Sequence, residues 1–263
     1  MVKKVKKAKP KNTKTFEIAI SPVQLKKAVK VLKGLIKLKQ DPSDLLVNED
    51  EFINMNIEVN RLPELSTLRV VSIPIPFSIY SKKFNSRVFL IVKDPQRSVK
   101  EKLDTLNIKD LPISKVCSIS KLGKNYSQFK DRRELIRQYD LFLSDIRVFN
   151  MLPDRLGKYF YTKKKIPALI SMDEDIESSL RSAVGSTFLI AAKGPIFTIK
   201  IGRLSMPETE IAENAKAVVK AIPQILPGIS FENIRRLDIK GEKTLNLPIY
   251  NHLTPEEVLA YKS

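Results

Sequence analysis

The sequence predicts an α/β protein of mixed (α+β) type, in which a split α+β domain is interrupted by an inserted α/β domain. Three observations predict it. Segments patterned for antiparallel sheet stand near both ends of the chain, and continuous apolar runs alternate with helices between them. The length, 263 residues with 43% of them hydrophobic, suffices for two packed units. The boundaries expected are a basic arm at 1–20, the split domain at 21–80 plus 166–263, and the insert at 81–165.

The split domain opens with SPVQLKKAVKVLKGLIKL. Ser21 is a candidate N-cap, and Pro22 takes the first helical position, where its missing N–H is not needed. Leu25, Val29, Leu32 and Ile36 recur at helical spacing, with Lys26, Lys30, Lys33 and Lys37 on the other side. That lysine face is either a solvated surface or one that meets phosphates. In FINMNIEVN, Ile53, Met55, Ile57 and Val59 alternate with polar residues, as a strand with one wet face requires. LRVVSIPIPF is a second strand, ended or placed at an edge by Pro74 and Pro76, and the two are expected to pair.

From Arg87 the pattern changes. RVFLIV, KVCSI and YDLFLSD are apolar strands, and DPQRSVKEKLDTL, SQFKDRRELIRQ and IRVFNML are the helices that follow them, the order expected of a parallel sheet covered by helices. After the insert come a helix, DEDIESSLRSAV, ending at Gly185, and an expected hairpin, STFLIAAKGPIFTIKIG, turning at Lys193, Gly194 and Pro195. PETEIAENAKAVVKAI is a helix with acids in its first turn, and IRRLDIK is a closing strand.

Charge bounds the function. Lys and Arg number 47 against 29 Asp and Glu, leaving +18, a balance that draws a chain to polyanions. The stretch MVKKVKKAKPKNTK holds seven lysines and no acid; subtracting them from +18 leaves +11, so the folded part is basic in its own right. It reads as a disordered arm and not as a secretory signal, since no apolar segment follows it. No apolar run approaches the roughly 20 residues of a membrane helix, which leaves nucleic acid or, as the weaker candidate, an anionic membrane face as the polyanion; nucleic acid is preferred and no membrane partner is expected. One cysteine, Cys117, and one histidine, His252, exclude an intrachain disulfide and a zinc site built from Cys and His.

Catalytic and nucleotide chemistry find little support. A pyrophosphate cradle needs clustered glycines, and the insert has only Gly123 and Gly157, far apart. Asp140 and Asp145 flank the strand LFLS, but their odd spacing puts them on opposite faces of an extended chain. They read as caps. No cofactor and no metal is expected, and no enzyme activity. KYFYTKKKIP interleaves Tyr159, Phe160 and Tyr161 with Lys158, Lys163, Lys164 and Lys165. That mixture suits base stacking and phosphate contact, or equally aromatics turned into the core with the lysines left in water.

The order IPIPF, VFLIVKD, YDLFLSDIRVFNMLPDRLGKYFYTKKKIP, VGSTFLIAAKGPIFTIKIGRLSMPETEIAENAKAVVKAI and LDIKGEKTLNLPIY resembles the ribosomal protein L-one family, named for the large-subunit stalk, from about residue 21 to 250. The most specific parts are Leu152, Pro153, Leu156 and Gly157, and the run from Ile201 to Asn214. The form of YDLFLSD and LPIY is similar to the eukaryotic, nucleolar ribosome-biogenesis branch. The resemblance implies a split RNA-binding domain and a three-layer, Rossmann-like insert joined by a two-strand hinge. It implies a non-enzymatic factor that binds pre-ribosomal RNA in the nucleus and nucleolus, beside other assembly factors and ribosomal proteins, as a monomer within a large particle. The alternatives are the mature stalk protein and a protein-interaction scaffold with RNA contact secondary.

The RNA-facing residues then expected are Lys33, Lys37, Lys200, Arg203, Lys240, Lys243, Thr244, Lys163, Lys164 and Lys165. Arg203 stands where the family's Ile-Gly-Lys element has its lysine, and Lys243 and Thr244 replace the Met and Gly of its Thr-Met-Gly-Pro loop.

Overall fold

The computed structural model describes residues 21–39, 50–63, 69–106, 110–172, 175–192, 194–226, 228–242 and 244–252. The expected basic arm at 1–20, Lys193 and Lys243 lie outside the described residues.

Helix α1 (Pro22–Lys39) buries Leu25, Val29, Leu32 and Ile36 as its spacing predicts. The strands β1 (Phe52–Val59) and β2 (Arg69–Pro74) follow. Then come β3 (Val88–Val92), α2 (Gln96–Thr105), β4 (Ile113–Ser118), α3 (Ile119–Asn125), α4 (Phe129–Gln138) and β5 (Leu141–Asp145). After a 3-10 segment, Ile146–Met151, the chain forms α5 (Leu152–Leu156), α6 (Lys158–Thr162), β6 (Ala168–Ile170) and α7 (Ile176–Val184). The last elements are β7 (Ser186–Ala191), β8 (Ile196–Arg203), α8 (Glu208–Ile225), β9 (Ile234–Lys240) and β10 (Leu247–Asn251).

These strands form an antiparallel sheet in the order β10-β9-β1-β8, an antiparallel pair β2-β7, and a parallel sheet in the order β4-β3-β5-β6. The mixed fold with a parallel unit inside it is therefore present. Two expected pairings are not. β1 does not pair with β2 but lies between β8 and β9, and β7 and β8 do not form a hairpin, since β7 joins β2 and β8 joins β1. Alternation tells which face of a strand is wet and is silent about its partner. Nor does IRRLDIK close the sheet: β9 is internal, and LPIYN supplies the edge.

The parallel sheet takes its fourth strand, β6, from beyond the expected boundary at 165. Its two central strands, β3 and β5, are buried along their whole length, while the edge strands β4 and β6 are partly exposed. Val88, Leu90 and Val92 belong to the large core shared with β1, β8, β9 and α8, while Phe89 and Ile91 join a second core with Phe142, Leu152 and Phe160. IRVFNML, expected as one short helix, forms a 3-10 segment with Leu152 opening α5, and the chain turns at Gly157, with φ of 75°, between α5 and α6. Helix α2 starts at Gln96 without a side-chain cap, and the Asp94 carboxylate before it accepts the Ser120 hydroxyl at 2.6 Å. Helix α3, not foreseen, is capped by the Ser118 hydroxyl, which accepts from the Lys121 amide.

The run from Ile201 to Asn214 has a packing role. Gly202 lets β8 approach α8 closely, since an added Cβ would lie 2.8 Å from Ile211 Cγ1. Asn214, fully buried on α8, accepts from the Phe77 amide at 3.0 Å and donates at 2.9 Å to the carbonyls of Phe77 and Ile201. One amide group thus ties helix, strand and the chain after β2 together with its polar atoms satisfied.

Candidate nucleic-acid interface

Register sets the polar face of the antiparallel sheet. Asn54 of β1 is opposite Lys200 of β8 on one side and Lys240 of β9 on the other, and Asn56 is opposite Thr198 and Asp238. The Thr198 hydroxyl donates to Asn56 Oδ1 at 2.9 Å, and Arg236 pairs with Asp238 at 2.7 Å. The alternate residues Ile53, Met55, Ile57, Ile199, Leu237 and Ile239 are buried in the core with α1 and α8.

A bulge decides what happens at the end of this face. Lys200 and Arg203 lie three positions apart and would point to opposite sides of a regular strand. The register shifts between Ile53 and Asn54, so that Lys200 faces Asn54 while Arg203 faces Phe52, and both cations reach the same side. The Lys200 ammonium stands 3.8 Å from the Phe52 ring centre, and the Arg203 guanidinium carbon 4.2 Å from it, within cation–π range. Tyr80 packs on Phe52 with ring centres 6.0 Å apart.

Arg203 is not placed as a phosphate ligand. It is 4% exposed, and its donors reach Ile79 O (2.9 Å), Asp50 O (3.3 Å), Ser86 Oγ (2.9 Å) and Asp140 Oδ2 (3.2 Å). The cause is physical: a buried guanidinium must satisfy its fork, and here carbonyls, a hydroxyl and a carboxylate from β1's approach, the chain after β2 and the parallel unit do so. Lys165 is likewise engaged, donating at 2.8 Å to the carbonyls of Ile136 and Tyr139 at the end of α4, the place where a helix leaves acceptors open.

Lys200 lies beside this cluster. Burial, and then the neighbouring charge of Lys165, lower its pKa to about 8, with Asp140 opposing. Burial raises the Tyr80 hydroxyl pKa, reinforced by Asp140 and opposed by Arg203.

The other expected residues fall as follows. Lys163 and Lys164 are exposed, and Lys240 is half-buried at the sheet end. Thr244 Oγ1 accepts from the Gly241 amide at 2.7 Å, closing the turn after β9, and an added Cβ at Gly241 would lie 3.1 Å from Ile36 of α1. Lys33, on the same helix, donates to the Met206 carbonyl. Lys37 is in α1. The turns after β8 and β9 therefore both lie against α1, at the end of the sheet that carries Lys200 and Lys240.

Asp145 caps the 3-10 segment through the Arg147 amide at 3.0 Å and pairs with the Arg147 side chain at 2.8 Å. Asp140 accepts the Arg87 amide as well as Arg203. Both are scaffold, as read from the sequence. Phe160 is wholly buried against Phe142, while Tyr159 and Tyr161 are half-buried at the edge of the second core. The residue that sequence reasoning missed is Phe52. Its signal is the phase: an aromatic in step with Asn54, Asn56 and Glu58 belongs to the polar face of its strand, where Phe52 is buried beneath Lys200 and Arg203.

The profile of the Ribosomal protein L1p/L10e family matches residues 2–245. A Schizosaccharomyces pombe protein named for ribosome biogenesis is 31% identical over 194 residues, 71% of this chain and 52% of that protein. The Ribosomal L1 domain-containing protein 1 of Mus musculus is 27% identical over 248 residues, 91% of this chain and 53% of that protein. The ribosome biogenesis protein UTP30 of Saccharomyces cerevisiae is 26% identical over 253 residues, 85% of this chain and 89% of that protein. The chain thus spans about half the length of the first two. With the profile running across nearly its whole length, and the split sheet and parallel unit in place, the chain belongs to the Ribosomal protein L1p/L10e family.

Proposed function

We propose that this protein is a non-enzymatic ribosome-biogenesis factor that binds pre-ribosomal RNA within nucleolar particles, beside other assembly factors and ribosomal proteins. The observation that carries the reading is family membership, joined to relatives named for ribosome biogenesis over 71% and 85% of the chain. The net charge of +18 supports an RNA partner. RNA backbone meets the sheet end and the α1 side, through Lys33, Lys200, Lys240 and Thr244, with Lys163 and Lys164 as outlying contacts and Lys37 and Lys243 as further contacts carried by the family resemblance. Arg203 and Lys165 position that surface and do not touch the ligand.

Affinity then comes mainly from phosphate contacts and selectivity from the shape of a folded RNA. Gradient sedimentation together with mapping of RNA cross-linked to the protein in cells tests this. The expected result is cosedimentation with pre-ribosomal particles, adducts on precursor RNA and absence from translating ribosomes. A protein that stays on translating ribosomes, or yields protein contacts and no RNA adducts, overturns the reading.

A further inference from the structure

Phe129 opens α4 with 77% of its surface exposed, an unusual position for a phenylalanine. Arg132 and Arg133 lie three and four residues on, the spacing that brings side chains to one helical face, and that face looks onto the α5–α6 turn. The result is a cleft of about 260 Å³ that Phe129 and Tyr159 line together with Arg132, Arg133 and Lys158, and its lining holds no carboxylate.

The cleft is built, not accidental. Gly157, with φ of 75°, leaves the space that Arg132 occupies, because an added Cβ would sit 2.8 Å from Arg132 Nη1. Arg132 Nε is fixed by the Tyr126 carbonyl at 2.8 Å. Each aromatic ring carries a cation: Arg132 lies 5.8 Å from the Phe129 centre, Arg133 5.6 Å and Lys163 5.8 Å from that of Tyr159. Arg133, Lys158 and Lys163 are exposed.

We propose that this cleft is a second RNA site, in which one unpaired nucleobase stacks on Phe129 and Tyr159 while Arg133 and Lys158 meet the flanking phosphates. Two ring faces beside exposed cations are what a single-stranded nucleic acid uses, since every base has a π-face. An acidic peptide would use the cations and leave the rings without a partner. The site sits over the second core, on the opposite face of the parallel sheet from the core shared with the antiparallel sheet. A bound RNA therefore contacts two separate surfaces. The inference rests on the RNA-binding reading and adds to it a ligand state, an unpaired base, and a place.

The sequence has no tryptophan, so Phe129→Trp creates a single indole fluorophore at the site. Titrating this full-length variant with a single-stranded oligouridylate is expected to quench its emission saturably. Phe129→Ala should weaken binding of the same oligonucleotide about 5- to 100-fold, the range that loss of one base stack implies, with circular dichroism unchanged. If filter retention shows that the unsubstituted protein holds the oligonucleotide while the indole emission of the Phe129→Trp variant stays constant and Phe129→Ala binds normally, this inference is overturned and the RNA-binding reading stands. If the unsubstituted protein retains no RNA at all, both fall. Quenching by polyglutamate equal to that by RNA overturns base stacking in favour of protein docking.

Discussion

Arg203 at the end of β8 donates a hydrogen bond at 3.2 Å to Asp140, the residue that leads into β5 in the parallel unit. The same guanidinium nitrogen bonds Ser86 at 2.9 Å, just before β3. A single side chain of the antiparallel sheet is thus held by two points on the parallel unit. Arg203→Ala is expected to destabilise the protein by roughly 2–3 kcal/mol. That is below the usual cost of breaking a buried pair, because Asp140 is 30% exposed and water takes over part of its solvation. Arg203→Lys should also be destabilising, since an ammonium cannot reproduce the fork. Urea denaturation measures both, and a neutral Arg203→Ala would place this contact outside the folding energetics.

Lys200 gives a pH dependence of known sign. Its folded-state pKa is lowered to about 8 from 10.5, so between those values the unfolded chain binds more protons than the folded one. Stability from this group therefore rises as pH climbs from about 8 to about 10.5, and below pH 8 the full penalty is present. Lys200→Met, which keeps the stem on Phe52, should be more stable than the parent at pH 7 by an amount of order 1–2 kcal/mol. The gap should close toward pH 10.5. A gap that does not change with pH would assign the effect to packing.

RNA affinity should respond to the cations that reach solvent and not to buried Arg203. Replacing Lys163, Lys164 and Lys240 together by Ala is expected to weaken binding to a precursor RNA about tenfold or more at moderate salt. The slope of log affinity against log salt should fall by about 2, near 0.7 per lost contact. Filter binding across a salt series reads both. An unaltered slope moves the phosphate contacts elsewhere.

Asn214→Leu leaves the Phe77 amide and the carbonyls of Phe77 and Ile201 without their side-chain partner in a buried site. The expected loss is roughly 2–4 kcal/mol by denaturant unfolding, from the stranded polar groups and not from volume. Asn214→Asp should be as damaging, because it can accept from the amide but cannot donate to the carbonyls.

Much of this was legible in the residues. The buried stripe of α1, the polar face of β1 and the apolar strands of the parallel sheet all follow from residue pattern, and Asp145 announces its cap; that polar face, expected to be wet, is instead covered, with Phe52 and Asn56 buried on it. Pairing was not legible, because β1 finds β8 and β9 more than 130 positions away, and no local pattern encodes a partner. Of the candidate cations, exposure was half legible. Lys163, Lys164 and Lys240 stay at the surface, but Arg203 and Lys165 turn inward, and charge alone does not reveal which cations have carbonyls waiting for them. The bulge that brings Lys200 and Arg203 to one side is likewise invisible in a pattern of alternating residue types.

The central place of β1 has a consequence for how the chain is made. Both of its neighbours are synthesised long after it, from residue 196 and residue 234 onward, whereas the strands of the parallel unit all lie within residues 88–170. On a translating ribosome the parallel unit has all its strands available early, while β1 waits with two open edges until β8 and then β9 have been made. Nascent chains stopped before residue 234 should therefore need a chaperone to stay soluble, and those carried past residue 251 should not.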